Sequence, residues 1–289
     1  MKKIIIMVPV FNDWESLKKL LLELNENIRN FNYNFKCLII NDSSNISRPK
    51  ISIPDNLSSI SVLNMKENRG HARCNAFGIR YVLKEEVFDY LIIMDSDGED
   101  RPIEIKSLIG SILKDPNNSV VAKRIKRSEG PIFQFLYRVH KLITYIFTGK
   151  KINFGNYSCL TRKDVEKLSN KASLWCSYSG SVKKHLTNFN EVDSIRGTRY
   201  FGPSQMSLFR LIIHSFSIIA VFKNQVFLRS LFFLIFLESL SKVTGQTTLL
   251  AQSFLIFFNI IILITSFREN ERNLLNSENN LGNKEELKH

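Results

Sequence analysis

The sequence predicts an α/β fold: a mostly parallel sheet covered by helices on both faces, followed by interfacial and transmembrane helices. Strand-like apolar runs alternate with helix-like patterns up to about Tyr200, which favours parallel strands joined by helices. Beyond Tyr200, three long segments are dominated by Leu, Ile and Phe. Polar clusters directly follow three of the predicted strands, where sheets of this kind bind ligands.

The elements of the first half are predicted from periodicity and capping residues. The apolar run from Ile4 to Val8 is typical of a strand buried on both faces. Apolar positions three and four apart, from Trp14 to Ile28, predict a helix capped by Asn12 or Asp13. The next predicted elements are strands at Phe35–Ile40 and Ile60–Leu63, a helix from Gly70 to Leu83, a strand at Tyr90–Met94, a helix at Ile103–Leu113 and a strand at Val120–Ala122.

Composition restricts the partners and the compartment. The chain has 289 residues and a formal charge of +13, which favours a polyanionic partner such as a phosphorylated substrate, an anionic membrane or nucleic acid. Nucleic acid is disfavoured, because the basic residues are dispersed and no aromatic platform motif accompanies them. The four cysteines form no C-x-x-C pair, which argues against a disulfide framework or structural zinc and fits a reducing compartment.

Three polar clusters follow predicted strands and are expected to meet at one edge of the sheet. They are Pro9 to Asp13, Asn41 to Ser44, and Asp95 to Asp100. Each alone is typical of a solvated turn. Because the carboxyl ends of parallel strands share an edge, the three together predict one nucleotide site.

The third cluster, in "MDSDGEDRP", concentrates negative charge. Asp95 and Asp97 are two apart at a strand end, so both side chains are expected to face one ligand. Carboxylates and diphosphate oxygens are the hard ligands that Mg²⁺ or Mn²⁺ prefers, which predicts one of these ions as cofactor. For Asp100, capping of the next helix is an equally good interpretation.

Seven motifs in order resemble family 2 glycosyltransferases with the GT-A fold, in particular the polyprenyl-phosphate branch that includes dolichol-phosphate mannose synthases. The motifs are "VPVFND", "INDSS", "ENRGHARCNAFG", "MDSDGEDRP", "AKRIKR", "NFGNYSCLTRKDV" and "RGTRYFGPSQM". The resemblance covers the chain from its first strand to about Arg229. It implies a catalytic domain at residues 1–203.

The resemblance also implies roles for individual residues. The catalytic residues would be Asp95, Asp97 and Glu99, with Asp97 and Asp95 as the metal ligands. Nucleotide binding would fall to Pro9, Phe11, Asp13, Asp42 and Asp95. Arginines suit phosphate because they pair bidentately with its oxygens. Those implied to bind the acceptor or donor phosphates are Arg124, Arg127, Arg138, Arg196 and Arg199.

Three positions depart from the family pattern. Asn41 replaces the first Asp of the usual D-D-x-S, which should matter little if Asp42 holds the base. Glu99 replaces a Gln and adds charge beside the metal. Asn156 stands where relatives usually have Asp, which leaves the acceptor-side roles open.

The second half predicts membrane association. Residues 204–223 read as an amphipathic interfacial helix, since a narrow polar stripe of Ser207, Arg210, His214 and Ser217 recurs at helical spacing. A core helix is the alternative. Residues 224–268 read as a transmembrane hairpin: Leu249 to Phe267 is close to spanning length, whereas Val226 to Val243 is interrupted by charges.

Flanking charges predict the orientation of this hairpin. Basic residues flank its outer ends and only one lysine lies in the connection, which predicts both termini on the cytoplasmic side of the cytoplasmic membrane. Residues 269–289 are expected to be a polar cytoplasmic tail, disordered apart from a short helix.

The leading functional hypothesis is an inverting enzyme that moves a sugar from a UDP- or GDP-sugar onto polyprenyl phosphate. A glycosyltransferase acting on a hydroxyl of a lipid-linked or cell-surface saccharide is the alternative. It would need a general base, and "SLWCSYSGSVKKHL" offers no acidic base motif. A membrane-anchored scaffold with a degenerate site is a third hypothesis, which the intact Asp42, Asp95 and Asp97 oppose. The expected partners are the donor, the lipid acceptor and the membrane, and a homo-oligomer is left open.

Overall fold

The computed structural model describes residues 1–126, 131–202 and 207–287. The strands are β1 (Lys3–Val10), β2 (Asn34–Asn41), β3 (Ser59–Met65), β4 (Tyr90–Ile93), β5 (Val120–Lys126), β6 (Phe154–Thr161), β7 (Asn190–Ile195) and β8 (Leu281–Glu286). The helices are α1 (Trp14–Ile28), α2 (His71–Glu85), α3 (Ile105–Lys114), α4 (Pro131–Thr148), α5 (Arg162–Ser169), α6 (Ser173–Cys176), α7 (Tyr178–His185), α8 (Leu208–Ala220), α9 (Lys223–Thr244), α10 (Leu249–Ser266) and α11 (Glu271–Leu275).

The described strands form one sheet in the order β7-β5-β6-β4-β1-β2-β3-β8. β1 is parallel to both β2 and β4, and β2 is parallel to β3. In this register Met7 pairs with Ile93 and Val10 with Asn41, so the carboxyl ends of β1, β2 and β4 lie at one edge. The predicted α/β fold class is confirmed, and the predicted polar clusters follow these three strand ends.

Two apolar cores flank the sheet, because alternate side chains of a strand point to opposite faces. From β1, the side chains of Ile4, Ile6 and Val8 pack in the core that also holds residues of α1 and α3. Ile5 and Met7 lie in the opposite core with residues of α2, α5, α6 and α7. Burial on both faces explains why β1 reads as a continuous apolar run.

The segment that follows β7 crosses over the loop that follows β4. Gly197 N donates to Glu99 O at 2.8 Å, and Tyr200 N donates to Asp97 O at 2.9 Å. Gly98 has φ +88°, and a Cβ there would lie 2.7 Å from the ring of Tyr200. A Cβ on Gly197 would lie 2.5 Å from the carbonyl oxygen of Gly98. The crossing therefore requires glycine on both sides.

A third apolar cluster joins four helices outside the sheet. Its buried residues Ile219, Ala220, Val226 and Ile262 come from or adjoin α8, α9 and α10, and Ile143 and Phe147 of α4 pack against them. Among the described helices, α10 with its extension to Leu275 is long and apolar enough to cross a membrane; α8 and α9 meet that criterion only together and are bent by 86°.

The outer surface of α9 and α10 is apolar. Large side chains there are 39 to 73 % exposed: Leu228, Leu231, Phe232, Phe233, Ile235, Phe236, Leu240, Leu249, Leu250, Phe254, Ile256, Phe257, Ile260, Leu263 and Ile264. A continuous apolar surface of this kind is typical of a membrane-contacting surface rather than of one that faces water.

The expectation of a disordered tail is wrong, because residues 271–286 fold onto the α/β domain. Leu274 of α11 is fully buried, and β8 pairs antiparallel with β3. The β8 sequence is polar because β8 is an edge strand of the sheet. Its carboxylates have partners nearby: Glu285 lies 2.7 Å from Arg48, and Ser61 donates to Glu286 at 2.7 Å.

The segments before α9 and after α10 both belong to the α/β domain. The chain leaves the α/β domain into α8 and comes back to the same domain after α10, which packs against both α8 and α9. If α9 and α10 enter a membrane, the residues before and after them therefore lie on the same side.

Replacing Leu274 tests whether the tail belongs to the folded domain. Leu274→Ala should lower the free energy of unfolding by about 2–5 kcal/mol, since a fully buried leucine leaves a cavity. The neighbouring Leu275 is 44 % exposed, and Leu275→Ala should change stability by no more than about 0.5 kcal/mol. Thermal unfolding in detergent measures both, and equal effects would mean that the tail does not pack as described.

Replacing Gly98 tests the crossing. Gly98→Ala should destabilise the protein by at least about 1–2 kcal/mol, because it puts a side chain at positive φ and against Tyr200. Gly110→Ala in α3 is the control: a Cβ there meets nothing within 4 Å, and alanine in a helix should add about 0.5–1 kcal/mol. A stable Gly98→Ala protein in the same thermal assay would contradict the crossing.

Candidate active site

One cavity of about 1370 Å³ lies at the carboxyl edge of the sheet and extends between α4 and α8. At the sheet edge it is lined by Pro9, Phe11, Asp13, Asp42, His71, Asp95, Asp97, Glu99, Arg196 and Arg199. Towards the helices it is lined by Leu136, Tyr137, His140, Ile143, Phe209, Arg210, Ile212, His214, Phe216 and Ile219. The cavity thus joins a charged end to a largely apolar end.

Asp42 holds the loop that begins α2. Its carboxylate accepts the backbone N–H groups of Arg69, at 3.1 Å, and Gly70, at 2.9 Å. Burial raises the pKa of Asp42, and these two N–H groups partly offset that effect. Because each carboxylate oxygen has a second lone pair, Asp42 can still accept a hydrogen bond from a ligand in the cavity.

The loops after β1 and β2 are joined by side-chain hydrogen bonds. Asn12, at φ 56°, donates its N–H to Ser44 Oγ at 2.9 Å, and its side-chain oxygen accepts the N–H of Asn45 at 2.9 Å. The Asn41 oxygen accepts the Ser44 N–H at 2.9 Å, and its amide donates to Asn64 at 2.9 Å. Asn41 therefore stabilises the loop through an amide that both donates and accepts, which an aspartate could not do.

Arg199 bridges the first and third predicted clusters. Its guanidinium lies 2.5 Å from Asp97 Oδ2 and 2.6 Å from Asp13 Oδ2. The other oxygen of Asp97 accepts the Glu99 N–H at 3.0 Å. Burial and then the charge of Asp95 raise the pKa of Asp97, whereas Arg199 and Arg196 lower it. The negative charge of this carboxylate thus depends on nearby cations.

The two remaining acids of the cluster differ in role. Glu99 forms an ion pair with Arg196, and burial raises its pKa against that pairing. Asp100 accepts the backbone N–H of Asp95 at 3.0 Å and lies 3.9 Å from Arg124. Burial, followed by the charge of Asp95, raises the pKa of Asp100 to about 8. Asp100 therefore stabilises the loop rather than the next helix.

Asp95 has a partner that the sequence analysis missed. His71 Nε2 lies 3.1 Å from the Asp95 carboxylate, and the amide of Asn156 donates to the same carboxylate at 3.4 Å. The signal for His71 was its position directly after Gly70, at the start of a helix that follows a strand end. Asn156 supplies a neutral donor at a point where an aspartate would add a further negative charge beside Asp95.

The carboxylates after β4 offer few protein ligands for a divalent cation. No group of three or more His, Cys, Asp or Glu within residues 1–126, 131–202 and 207–287 is arranged to hold a metal ion. Mg²⁺ in nucleotide sites is often bound by one or two carboxylates plus substrate phosphates. Asp97 and Asp95 fit that pattern, with the Arg199 guanidinium acting as the cation at Asp97 in this structure.

The five predicted phosphate-binding arginines lie in different surroundings. Arg196 and Arg199 line the cavity and are paired with carboxylates. Arg124 packs against Gly155 beside Asp100. Arg138, on α4, is exposed and is not among the residues that line the cavity. Arg127 lies outside the described residues.

The apolar end of the cavity is built by α4 and α8. α4 was not predicted from the sequence, although its 18 residues contain few charges. In the structure it exposes the side chains of Phe135, Leu142 and Tyr145. On α8, the stripe that was expected to face the membrane interface instead contributes Arg210, His214 and Ser217 to the cavity lining. Polar groups of α8 therefore extend into the otherwise apolar end.

The family model and similar curated proteins both identify glycosyltransferases as relatives of this sequence. The family model described as "Glycosyl transferase family 2" matches residues 5–175. The undecaprenyl-phosphate 4-deoxy-4-formamido-L-arabinose transferase of Serratia proteamaculans is 24 % identical over 217 residues, which cover 73 % of this chain and 65 % of that protein. The enzyme of the same name from Salmonella choleraesuis is 25 % identical over 221 residues, with 73 and 64 % covered. The match thus spans less than two thirds of these relatives.

Solved structures support the fold. Glucosyl-3-phosphoglycerate synthase from Mycobacterium tuberculosis, in complex with Mn²⁺, UDP-glucose and phosphoglyceric acid, superposes with a TM-score of 0.52 at 13 % identity, covering 78 % of this chain and 80 % of that one. The same enzyme with UDP gives 0.51 at 14 % identity and the same coverage. The expected GT-A fold is confirmed. Because the family model covers more than half of the sequence, the chain belongs to glycosyl transferase family 2.

Proposed function

We propose that this glycosyltransferase is bound to the cytoplasmic membrane, where it transfers a sugar from a UDP- or GDP-sugar to polyprenyl phosphate with inversion. The observation that carries the proposal is the single cavity that connects the carboxylate–arginine site with the apolar space between α4 and α8. A lipid phosphate has the same two-part character: a small, highly charged head and a long hydrocarbon chain.

The charged end suits the nucleotide sugar. Phe11, 39 % exposed at the cavity, offers a ring face for a base or ribose, and Asp42 offers a carboxylate that is already fixed by two backbone N–H groups. Arg196 and Arg199 bring positive charge to the same point as Asp97. A diphosphate bound there would meet both guanidinium groups.

The apolar end suits the lipid. It lies between helices that pack on α9 and α10, whose outer surface is apolar, so a hydrocarbon chain can enter without crossing water. The names of the Serratia and Salmonella relatives, which specify undecaprenyl phosphate, support the same class of acceptor.

The chemistry requires positioning and charge compensation. A phosphate monoester is largely ionised at neutral pH, so the acceptor oxygen needs no general base. A divalent cation at Asp97 and Asp95 would supply charge compensation for the departing diphosphate. Arg196 and Arg199 would bind the same diphosphate. A single in-line displacement inverts the anomeric carbon.

A hydroxyl acceptor remains the second candidate, because one pair in the cavity could act as a base. His71 Nε2 lies 3.1 Å from Asp95, and the side-chain amides of Asn75 and Asn156 lie 2.9 and 2.7 Å from the same nitrogen, so His71 is held in place by three polar neighbours. Transfer to a hydroxyl would produce a glycoside, whereas transfer to a lipid phosphate produces a phosphodiester, so the product distinguishes the two.

A transfer assay tests the proposed function. Purified full-length protein, polyprenyl phosphate, Mg²⁺ or Mn²⁺ and a panel of UDP- and GDP-sugars should yield a lipid-linked sugar phosphate detectable by mass, with inverted anomeric configuration by proton NMR. Asp97→Asn should lower turnover at least about 100-fold, because charge stabilisation at the leaving group is typically worth that much. Asp193→Asn, at an exposed site on β7, should not. Retention of configuration or a glycoside product would contradict the proposal.

Cysteine labelling tests the membrane arrangement. All four native cysteines are buried, so a membrane-impermeant maleimide should react mainly at an introduced site. In intact cells Gln246→Cys, between α9 and α10, should be labelled, whereas Asn283→Cys on β8 should react only after the membrane is opened, because both termini are proposed to be cytoplasmic. Labelling of both sites, or of neither, in intact cells would contradict the hairpin.

A further inference from the structure

Two partly buried arginines that line the cavity have no carboxylate partner among the described residues. Arg73 lies on α2, and Arg268 lies two residues beyond the end of α10; both side chains line the cavity. The Nε atom of each is buried and has no hydrogen-bond partner. Within the part of the chain that the structure describes, no carboxylate lies within ion-pair distance of either guanidinium; Arg73 donates only to the backbone oxygen of Arg69, at 3.2 Å.

Three other arginines that line this cavity are compensated, whereas a fourth, Arg210 of α8, is exposed. Arg199 contacts Asp13 and Asp97, Arg196 contacts Glu99, and Arg69 lies 3.5 Å from Glu67. These arginines stabilise the loops of the site when no ligand is present. Among the described residues, neither Arg73 nor Arg268 has a carboxylate contact of this kind.

The pair is unfavourable without a ligand. Burial, followed by the charge of Arg268, lowers the pKa of Arg73, which means that desolvation and mutual repulsion both oppose its charge. Arg73 is held in place nonetheless: its guanidinium carbon lies 5.8 Å from the centre of the Trp175 ring. A fixed, partly buried and repelling pair of cations in a cavity is the electrostatic complement of an anion.

The location and charge of the pair indicate which anion. Arg268 lies just beyond α10, within the candidate membrane span Leu249–Leu275, and Phe216 of α8 lines the same cavity, so a group bound there has apolar side chains in its surroundings. A phosphate monoester carries about −1.5 to −2 charges near neutral pH, which matches two guanidiniums better than the single charge of a phosphodiester headgroup. Arg73 is also only two residues from His71, which contacts Asp95.

We propose that Arg73 and Arg268 together bind the phosphate group of the lipid acceptor at the membrane side of the cavity. This assignment rests on the proposed function, since it specifies how the same acceptor is recognised. Neither Arg73 nor Arg268 is among the phosphate-binding arginines that the sequence predicted, so the proposed site is an additional one.

Binding measured without donor tests the site. Radiolabelled farnesyl phosphate should bind the full-length protein in detergent and change the fluorescence of Trp175, a change that Trp175→Phe removes. Farnesol, which lacks the anion, and inorganic phosphate, which lacks the chain, should compete at least about tenfold more weakly, because each loses one half of the recognition. Equal competition by inorganic phosphate would show a free-phosphate site and overturn the lipid assignment.

Substitutions locate the binding. Arg73→Gln and Arg268→Gln should each weaken farnesyl phosphate binding about tenfold or more, with Lys at either position recovering part of it. Arg272→Gln removes the same charge at an exposed position four residues on and should have no effect. Thermal midpoints of the two Gln variants should be unchanged or higher without ligand, since repulsion is relieved. Unchanged binding in both variants would overturn the proposal.

The outcomes separate this site from the proposed function. Arginine-dependent binding of farnesyl phosphate in a protein that transfers no sugar would support the site and contradict the function. Sugar transfer to lipid phosphate that is equally efficient in both Gln variants would support the function and overturn the site.

Discussion

The concentration of four carboxylates behind β4 is the constraint on which the rest of the site depends. Asp95, Asp97, Glu99 and Asp100 lie within six positions and are largely withdrawn from water, so each raises the free energy of the others unless cations approach. The cations come from distant parts of the sequence. β7 pairs with β5 at the far end of the sheet, and the segment after it must run back over β6 to bring Arg196 and Arg199 to this loop. The glycines at the crossing allow the two backbones to approach closely enough for those contacts.

A second requirement follows from the proposed lipid acceptor. A charged reaction centre at the edge of a sheet and a hydrocarbon chain in a membrane can meet only if one cavity reaches both. Here α4 and α8 extend the cavity away from the sheet, and the cluster around Ile219 and Ile262 fixes them to α9 and α10. The tail completes this arrangement. By pairing β8 with β3 it joins the segment after α10 to the α/β domain, and Arg268 of that segment lines the same cavity as Arg73 of α2.

The sequence predicted those parts of the molecule whose signal is local. β1, β2 and β4 are apolar runs followed by polar clusters, and both features are visible directly in the sequence. β8 could not be predicted, because an edge strand with one exposed face is as polar as a disordered tail. The Arg73–Arg268 pair joins residues 195 positions apart in regular helical or flanking sequence, and only the fold brings them together. The sequence shows that Asn41 and Asn156 depart from the family pattern. Only the fold shows that Asn41 accepts a hydrogen bond from Ser44 and that Asn156 donates one to Asp95.

The distribution of charge in the cavity also limits how the reaction can proceed. The proposed donor and acceptor are both anionic, so bringing them together requires more positive charge than either needs alone. In this structure Arg196 and Arg199 already neutralise protein carboxylates and cannot fully serve a diphosphate as well. A divalent cation held by Asp97 would compete with Arg199 for the same carboxylate, and the Arg199 guanidinium would then be available to the donor. The proposed acceptor would then depend on cations that the carboxylates of the described residues do not occupy, and the partly buried Arg73 and Arg268 meet that condition. Separate sets of cations for the two anions would keep acceptor binding independent of the donor, which a lipid that arrives by lateral diffusion requires.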